Sequence, residues 1–190
     1  MSNTQDNTRA KDKPHIIGGA TSRTMRAHWA AIELGLDYSY ELIGSRTGAT
    51  TTPEFLALNP KHKILVLLHD SLVLTESAAI MNYLARLAQK RKAAGEDSKG
   101  ATMLPSSAEG WAEYEEWQSF ILMELDAQCL YVMRKHRDLP DIYGEAPGAV
   151  SAARDGFNTQ IEMAEAKLVG REWLLGNQFA GVDISLTTCL

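Results

Sequence analysis

Short apolar runs and helix-period segments alternate along the first half of the sequence. Residues 15–18 form a brief apolar run closed by glycine, which predicts a short buried strand. From Ser22 onwards apolar residues recur at the spacing of one helical face, and Gly35 lies where such a helix would end. The residues on that face are Met25, Trp29, Ile32 and Leu36. The pattern therefore predicts a strand followed closely by a helix.

Three further elements are predicted before helical spacing returns. They are a strand at 38–43, a short helix at 52–58 and a hairpin at 64–74, followed by a helix that includes 79–87. The order βαβ, short helix, hairpin and helix implies one parallel and one antiparallel pair of strands. We therefore predict an α/β fold for this half, with a mixed four-stranded sheet and helices on its faces.

The second half of the sequence is predicted to be helical. Residues 90–100 are charged, contain glycine and lack apolar periodicity, so they mark a boundary. Beyond this boundary helical spacing extends over 111–130 and 157–168, and a last helix begins at Gly181. Pro140 and Gly170 end the first two of these helices. The predicted organisation is a flexible tail at 1–13, an α/β domain at 14–90, a linker at 91–104 and an all-α domain at 105–190.

Composition and charge narrow the classes of partner. The chain has 190 residues, and its 19 Lys+Arg against 24 Asp+Glu give a formal net charge of 19 − 24 = −5. This acidic balance, without a basic stretch interleaved with aromatic residues, argues against binding of nucleic acid or anionic lipid. No apolar run approaches the roughly 20 residues of a membrane span, and the first residues lack the apolar core of a signal peptide. We expect a cytoplasmic protein with a small soluble partner.

Cysteines and histidines do not form a metal-ligand pattern. Cys129 and Cys189 are the two cysteines, and they are far apart and outside any CxxC arrangement. The five histidines lack HxxxH spacing. The sequence therefore predicts neither a metal site nor a disulfide framework, which suits a reducing compartment.

Two predicted helix N-termini carry polar side chains. Ser22 follows the first strand, and Glu76 and Ser77 precede the helix that includes 79–87. The unpaired N–H groups and the positive dipole end of a helix N-terminus favour an anion. A serine there can equally be an ordinary N-cap, which contributes about 1 kcal/mol to helix stability. The residues alone leave both interpretations open.

The sequence resembles the cytosolic glutathione S-transferases over nearly the whole chain from His15 to Leu190, and three stretches carry the resemblance. They read SRTMR at 22–26, NPKHKILVL at 59–67 with LTESAAI at 74–80, and WLLG at 173–176 with FAGVDI at 179–184. The resemblance is to the serine-type classes, that is, theta, delta and beta-like bacterial enzymes. It implies a thioredoxin-like N-terminal domain that binds glutathione and an all-helical C-terminal domain, which is expected to be incomplete at Leu190.

The resemblance gives Ser22 a catalytic role as a hydrogen-bond donor. A thiol with a pKa near ~8.5 reacts as its thiolate, so a donated hydrogen bond would raise the reactive fraction of bound glutathione at neutral pH. The neighbouring hydroxyls of Thr21 and Thr24 remain alternatives for this role. The absence of a cysteine from this turn argues against thiol–disulfide exchange.

The resemblance also implies the residues that hold glutathione. Glu76 and Ser77 suit the ammonium and carboxylate groups of its γ-glutamyl end. His62 or Lys63 is expected to contact its glycine carboxylate, and the backbone of Ile64 its cysteinyl part. The alternative for Glu76 is an acidic residue that only compensates the helix dipole. The alternative for His62 and Lys63 is that both are solvated loop residues.

Leu65 departs from the family pattern, which has a cis-proline at this place. A cis bond before a residue other than proline costs roughly 3–4 kcal/mol, so the Ile64–Leu65 peptide is expected to be trans. Leu65 is expected to weaken glutathione binding relative to a proline at this place. Titration calorimetry of Leu65→Pro measures that difference.

The function that these expectations favour is a glutathione transferase that directs the glutathione thiolate at a small hydrophobic electrophile. The resemblance implies a homodimer and a detoxification role, with glutathione as co-substrate and no metal. The alternatives are another glutathione-dependent enzyme, such as an isomerase, dehalogenase or peroxidase, and a non-catalytic binding or interaction module. The second substrate is not readable from the sequence.

Overall fold

The computed structural model describes residues 13–19, 21–96 and 100–190. Most of the predicted tail, residues 1–12, lies outside the described residues. The chain divides into two units, the first ending at Gly100 and the second running from Ala101 to Leu190. The division falls within the predicted linker.

The described residues of the first unit contain a mixed four-stranded sheet with the strand order β2–β1–β3–β4. The strands are β1 (His15–Ile17), β2 (Ser39–Glu41), β3 (Val66–His69) and β4 (Leu72–Thr75). β1 pairs in parallel with β2 and antiparallel with β3, and β3 pairs antiparallel with β4. The predicted α/β, thioredoxin-like sheet is thereby confirmed. The pairing of β1 with β3, which joins the βαβ unit to the hairpin, was not predicted.

Three α-helices of this unit begin and end where local chemistry favours it. They are α1 (Ser22–Glu33), α2 (Pro53–Leu58) and α3 (Ser77–Ala93), with a 3₁₀ turn at Ala49–Thr51 before α2. Thr52 caps α2 by accepting a hydrogen bond from the Phe55 N–H at 3.2 Å, and Pro53 occupies the first helical position. Gly35 follows α1 with a φ of 63°, a conformation that favours glycine. Both helix ends agree with the sequence pattern.

Both faces of the central strands are covered. Ile17, Val66 and Leu68 form one buried cluster with Phe55 of α2. Neighbouring side chains of a strand point to opposite faces, so Ile16 and Leu67, which are paired and fully buried, lie on the other face. Two-sided burial explains why β3 reads as a continuous apolar run and not as an alternating one.

The described residues of the second unit are helical, and no sheet forms there. Its helices are α4 (Ala108–Phe120), α5 (Tyr131–Met133), α6 (Pro140–Tyr143), α7 (Pro147–Leu168) and α8 (Gly181–Thr187). π-helical turns at Ile121–Leu130 and Arg134–Asp138 continue α4 and α5 into one helical stretch that ends at Asp138, two residues before Pro140. The predicted helix and its end at Pro140 are confirmed, but its spacing gave no sign of π-helical geometry. No helix within 13–19, 21–96 or 100–190 is long and apolar enough to cross a membrane.

The start of α8 is held by the carboxylate of Asp183. Its Oδ2 atom accepts from the Ala180 N–H at 2.8 Å, and its Oδ1 atom accepts from the Leu174 N–H at 2.9 Å. Burial raises the pKa of Asp183, and the backbone hydrogen bonds act in the opposite direction. Ala180 has no side-chain acceptor, so only the Asp183 half of the reciprocal capping arrangement exists.

Restoring the missing half should stabilise the second unit. We expect Ala180→Ser to raise the free energy of unfolding by about 1 kcal/mol, because the new hydroxyl can accept from the N–H of Asp183. Asp183→Ala removes two charge-assisted hydrogen bonds to buried N–H groups and should lower the same quantity by about 2–4 kcal/mol. Urea denaturation measures both. A loss of stability in Ala180→Ser would show that the buried site has no room for a hydroxyl.

Candidate functional site

The predicted site residues lie in three segments of the first unit, and side-chain contacts join these segments. The segments are the N-terminus of α1, the loop 59–65 before β3, and the N-terminus of α3. Arg26 of α1 donates to Ser77 at the start of α3, and Lys61 of the loop contacts Glu76. Gly18 lies close to both Thr24 of α1 and Leu65 of the loop: a Cβ atom placed on Gly18 would be 3.0 Å from Thr24 and 3.5 Å from Leu65. The loop and α1 therefore approach each other at Gly18.

The N-cap of α1 is Thr21, and Ser22 is the first residue of the helix. Thr21 Oγ1 accepts from the Thr24 N–H at 3.2 Å and lies 3.0 Å from Thr24 Oγ1. The alternative that Ser22 serves as a simple cap is therefore wrong, because the preceding threonine already fills that position. A one-residue shift of a helix start is beyond what apolar spacing resolves.

The hydroxyl of Ser22 is exposed and has no hydrogen-bond partner among the described residues. Thr24, by contrast, is 1% exposed, and its hydroxyl is bonded to Thr21. Thr21 is half-buried and serves the cap. Of the three candidate hydroxyls at this turn, that of Ser22 is the one left for a ligand by the contacts in the described part of the chain.

A buried asparagine organises the loop before β3. Asn59 is 1% exposed; its Nδ2 donates to the Lys63 carbonyl at 2.6 Å, and its Oδ1 accepts from the Lys61 N–H at 3.1 Å. The His62 N–H donates to the Asn59 carbonyl at 3.2 Å, and His62 has a φ of 56°. The side chains of His62 and Lys63 are exposed as a result, and Ile64 is half-buried. Asn59 begins the NPKHKILVL stretch, but its positioning role was not predicted from the sequence.

The expectation of a trans peptide before Leu65 was wrong. The Ile64–Leu65 bond is cis. The expectation rested on the local preference of an isolated peptide. It left out the tertiary contacts around this bond, where Leu65 is buried and Val66 is paired with Ile17 in the sheet. The predicted weakening of glutathione binding by Leu65 stays a prediction.

The N-terminus of α3 presents both a carboxylate and a hydroxyl. Glu76 is the N-cap residue, with a φ of 72° and no side-chain capping bond, and Ser77 is the first helical residue. The Ser77 hydroxyl accepts from Arg26 Nη1 at 3.4 Å, and Arg26 is 1% exposed. Arg26 belongs to the quoted SRTMR motif, but its contact with a residue 51 positions later carries no sequence signal.

The electrostatics of the two helix N-termini suit an anionic ligand with one ammonium group. The first turns of α1 and α3 contain no acidic residue, so the dipole of α1 is not compensated there, whereas at α3 the nearest acid is the N-cap residue Glu76, whose carboxylate is paired with Lys61. Arg26 adds a cation beside Ser77, and Glu76 adds the acceptor for an ammonium. In the residues that the structure describes, no group of three or more His, Cys, Asp or Glu side chains could hold a metal ion.

Comparison with known proteins places these features in a family. Residues 17–86 match the family model described as "Glutathione S-transferase, N-terminal domain". The chain is 26% identical over 194 residues to the glutathione S-transferase TCHQD of Arabidopsis thaliana, covering 88% of this chain and 71% of that protein. It is 32% identical over 153 residues to glutathione S-transferase 3 of Zea mays, covering 80% and 64%.

Solved structures show the same fold. A theta class glutathione S-transferase from the citrus canker pathogen Xanthomonas axonopodis pv. citri, with glutathione bound, superposes with a TM-score of 0.75 and 25% identity. The superposition covers 92% of this chain and 79% of that one. A glutathione S-transferase like protein from Lodderomyces elongisporus gives a TM-score of 0.79 at 19% identity, covering 93% and 76%.

If Thr21 is the N-cap of α1, substitutions at Thr21 and Ser22 should differ in their effect on the free energy of unfolding. We expect Thr21→Ala to lower the free energy of unfolding by about 1 kcal/mol, because the Thr24 N–H loses its acceptor. Ser22→Ala should stay within about 0.5 kcal/mol of the parent protein, because its hydroxyl has no partner in the described chain. Urea denaturation compares the two. An equal loss in Ser22→Ala would contradict the assignment of the cap.

Proposed function

Because residues 17–86 belong to the glutathione S-transferase N-terminal domain family, we propose that this protein is a glutathione transferase acting on a small hydrophobic electrophile. In this proposal the first unit binds glutathione. The protein acts in the cytoplasm as a homodimer, in detoxification, without a metal. The relatives and the theta class structure with glutathione bound support the family chemistry.

Ser22 acts as the donor to the glutathione sulfur. Ser22 is exposed at the first position of α1 and lies at the positive end of the helix dipole. A hydrogen bond donated to the charged form of a thiol lowers its pKa, so more of the bound glutathione is thiolate at neutral pH. The thiolate then attacks the electrophilic carbon, and the leaving group departs with its electron pair.

Glu76 and Ser77 hold the γ-glutamyl end. The carboxylate of that end accepts from the backbone N–H groups at the start of α3 and from the Ser77 hydroxyl. Arg26 supports this arrangement because it already donates to Ser77, so the hydroxyl hydrogen is left for the ligand. The ammonium group of the same end donates to the carboxylate of Glu76.

The loop before β3 holds the remainder of the tripeptide. The side chains of His62 and Lys63 are exposed, and their polar or cationic groups suit the glycine carboxylate. Asn59 holds the loop backbone at these residues through its bonds to the Lys63 carbonyl and the Lys61 N–H. The backbone of Ile64 faces the cysteinyl part in this proposal. One observation carries the proposal as a whole: the Ser22 hydroxyl at the start of α1 is not used by the helix cap.

Ser22→Ala should lower kcat/KM for an aryl halide by about 10- to 100-fold. This corresponds to the loss of one hydrogen bond to a charged group, roughly 1.4–2.7 kcal/mol. The variant should remain on immobilised glutathione, because the γ-glutamyl contacts are intact. The pH–rate profile should also move to higher pH, because the bound thiol loses the group that lowers its pKa.

Thr21→Ser is the matched control, since it keeps both the hydroxyl and the cap. It should retain the parent rate. A loss of rate in Thr21→Ala with a parent-like Ser22→Ala would transfer the donor role to Thr21. A folded parent protein that neither binds immobilised glutathione nor turns over the aryl halide would support a non-catalytic module in place of the enzyme.

A further inference from the structure

The carboxylate that is proposed to receive the ammonium of glutathione is already bonded to a cation of the chain. Lys61 Nζ lies 2.6 Å from Glu76 Oε1 and donates to Thr75 Oγ1 at 3.0 Å. A lysine ammonium and the α-ammonium of a γ-glutamyl group have the same charge and the same donor geometry. They are therefore equivalent groups for the same acceptor.

The position of Lys61 follows from the loop that carries it. The Lys61 N–H donates to the buried Asn59 side chain, and the same side chain holds the Lys63 carbonyl, so the backbone on both sides of His62 is fixed. From this backbone the side chain reaches the end of β4 and the first residue before α3. The Lys61 ammonium thus donates to two acceptors, Thr75 and Glu76, which makes the contact more specific than a lone surface ion pair.

We propose that Lys61 is an internal competitor for the ammonium subsite and thereby sets the selectivity of this site among γ-glutamyl ligands. This inference rests on the proposed function, since it concerns the same Glu76. A ligand with a free α-ammonium must displace Lys61 from Glu76 or bind beside it against like-charge repulsion. A ligand with the same carboxylate but no ammonium meets neither cost.

The size of the effect follows from exposure. The side chains of Lys61 and Glu76 are 46% and 74% exposed, so solvent screens their interaction. Exposed ion pairs of this kind have coupling energies that correspond to about a two- to fivefold change in a dissociation constant at most. Lys61 therefore tunes the affinity for glutathione without abolishing it.

The test compares two ligands by isothermal titration calorimetry on the full chain. The first ligand is glutathione, and the second is its analogue in which a glutaryl group replaces the γ-glutamyl group, so that only the ammonium is missing. Lys61→Met should tighten glutathione binding about two- to fivefold and leave the affinity for the analogue unchanged. Lys61→Arg keeps a cation at this place and should bind both ligands as the parent does.

Lys92→Met is the charge-matched control, because Lys92 is exposed near the C-terminal end of α3, at the opposite end of the helix from Glu76. It should leave both affinities unchanged. Weaker binding of both ligands by Lys61→Met would overturn the inference, since Lys61 would then assist the ligand carboxylate. Equal affinities of parent and Lys61→Met for glutathione would overturn it as well, with the proposed function intact. No binding of glutathione by any variant would overturn the proposed function together with the inference.

Discussion

The candidate site depends on one constraint: the backbone N–H groups at a helix N-terminus need acceptors that the helix itself does not supply. At α1 this need is met in part by Thr21, which leaves the next hydroxyl, that of Ser22, free of the cap. At α3 no side chain caps the helix, its first turn contains no acid, and the carboxylate of the N-cap residue Glu76 is paired with Lys61. The two N-termini are therefore open to an anion, and the sheet and the helix contacts serve to hold them at one edge of the same unit.

Buried polar side chains fix the segments that the sheet leaves unconstrained. Arg26 ties α1 to the start of α3, and Asn59 ties the loop before β3 into a defined turn. Both side chains are 1% exposed, so a lost partner would leave a buried donor or acceptor unsatisfied. The Lys61–Glu76 contact is of another kind, because both of its side chains are exposed to solvent. The buried side chains thus hold the segments in position, and the exposed contact is the one that we propose a ligand displaces.

The periodic elements were predictable, and the contacts between them were not. Apolar spacing and turn residues located β1, α1, α2 and the hairpin because each of these is encoded within a few neighbouring residues. The cap at Thr21 was missed because spacing does not resolve a shift of one residue, and the cis peptide before Leu65 was missed because a local preference was used for a bond in a buried tertiary setting. The pairs Arg26–Ser77 and Lys61–Glu76 join residues 51 and 15 positions apart, which no local pattern encodes.

The left-handed backbone of Glu76 sets stability against function at a single residue. A φ of 72° costs a residue with a Cβ atom of the order of 1 kcal/mol that glycine would not lose, so selection for stability alone would favour glycine there. Glycine would also remove the carboxylate that we propose as the acceptor for a ligand ammonium. A stabilising engineering campaign on this protein should therefore select glycine at this position, and its product would lack the carboxylate that we propose distinguishes ligands with an amino group from those without one.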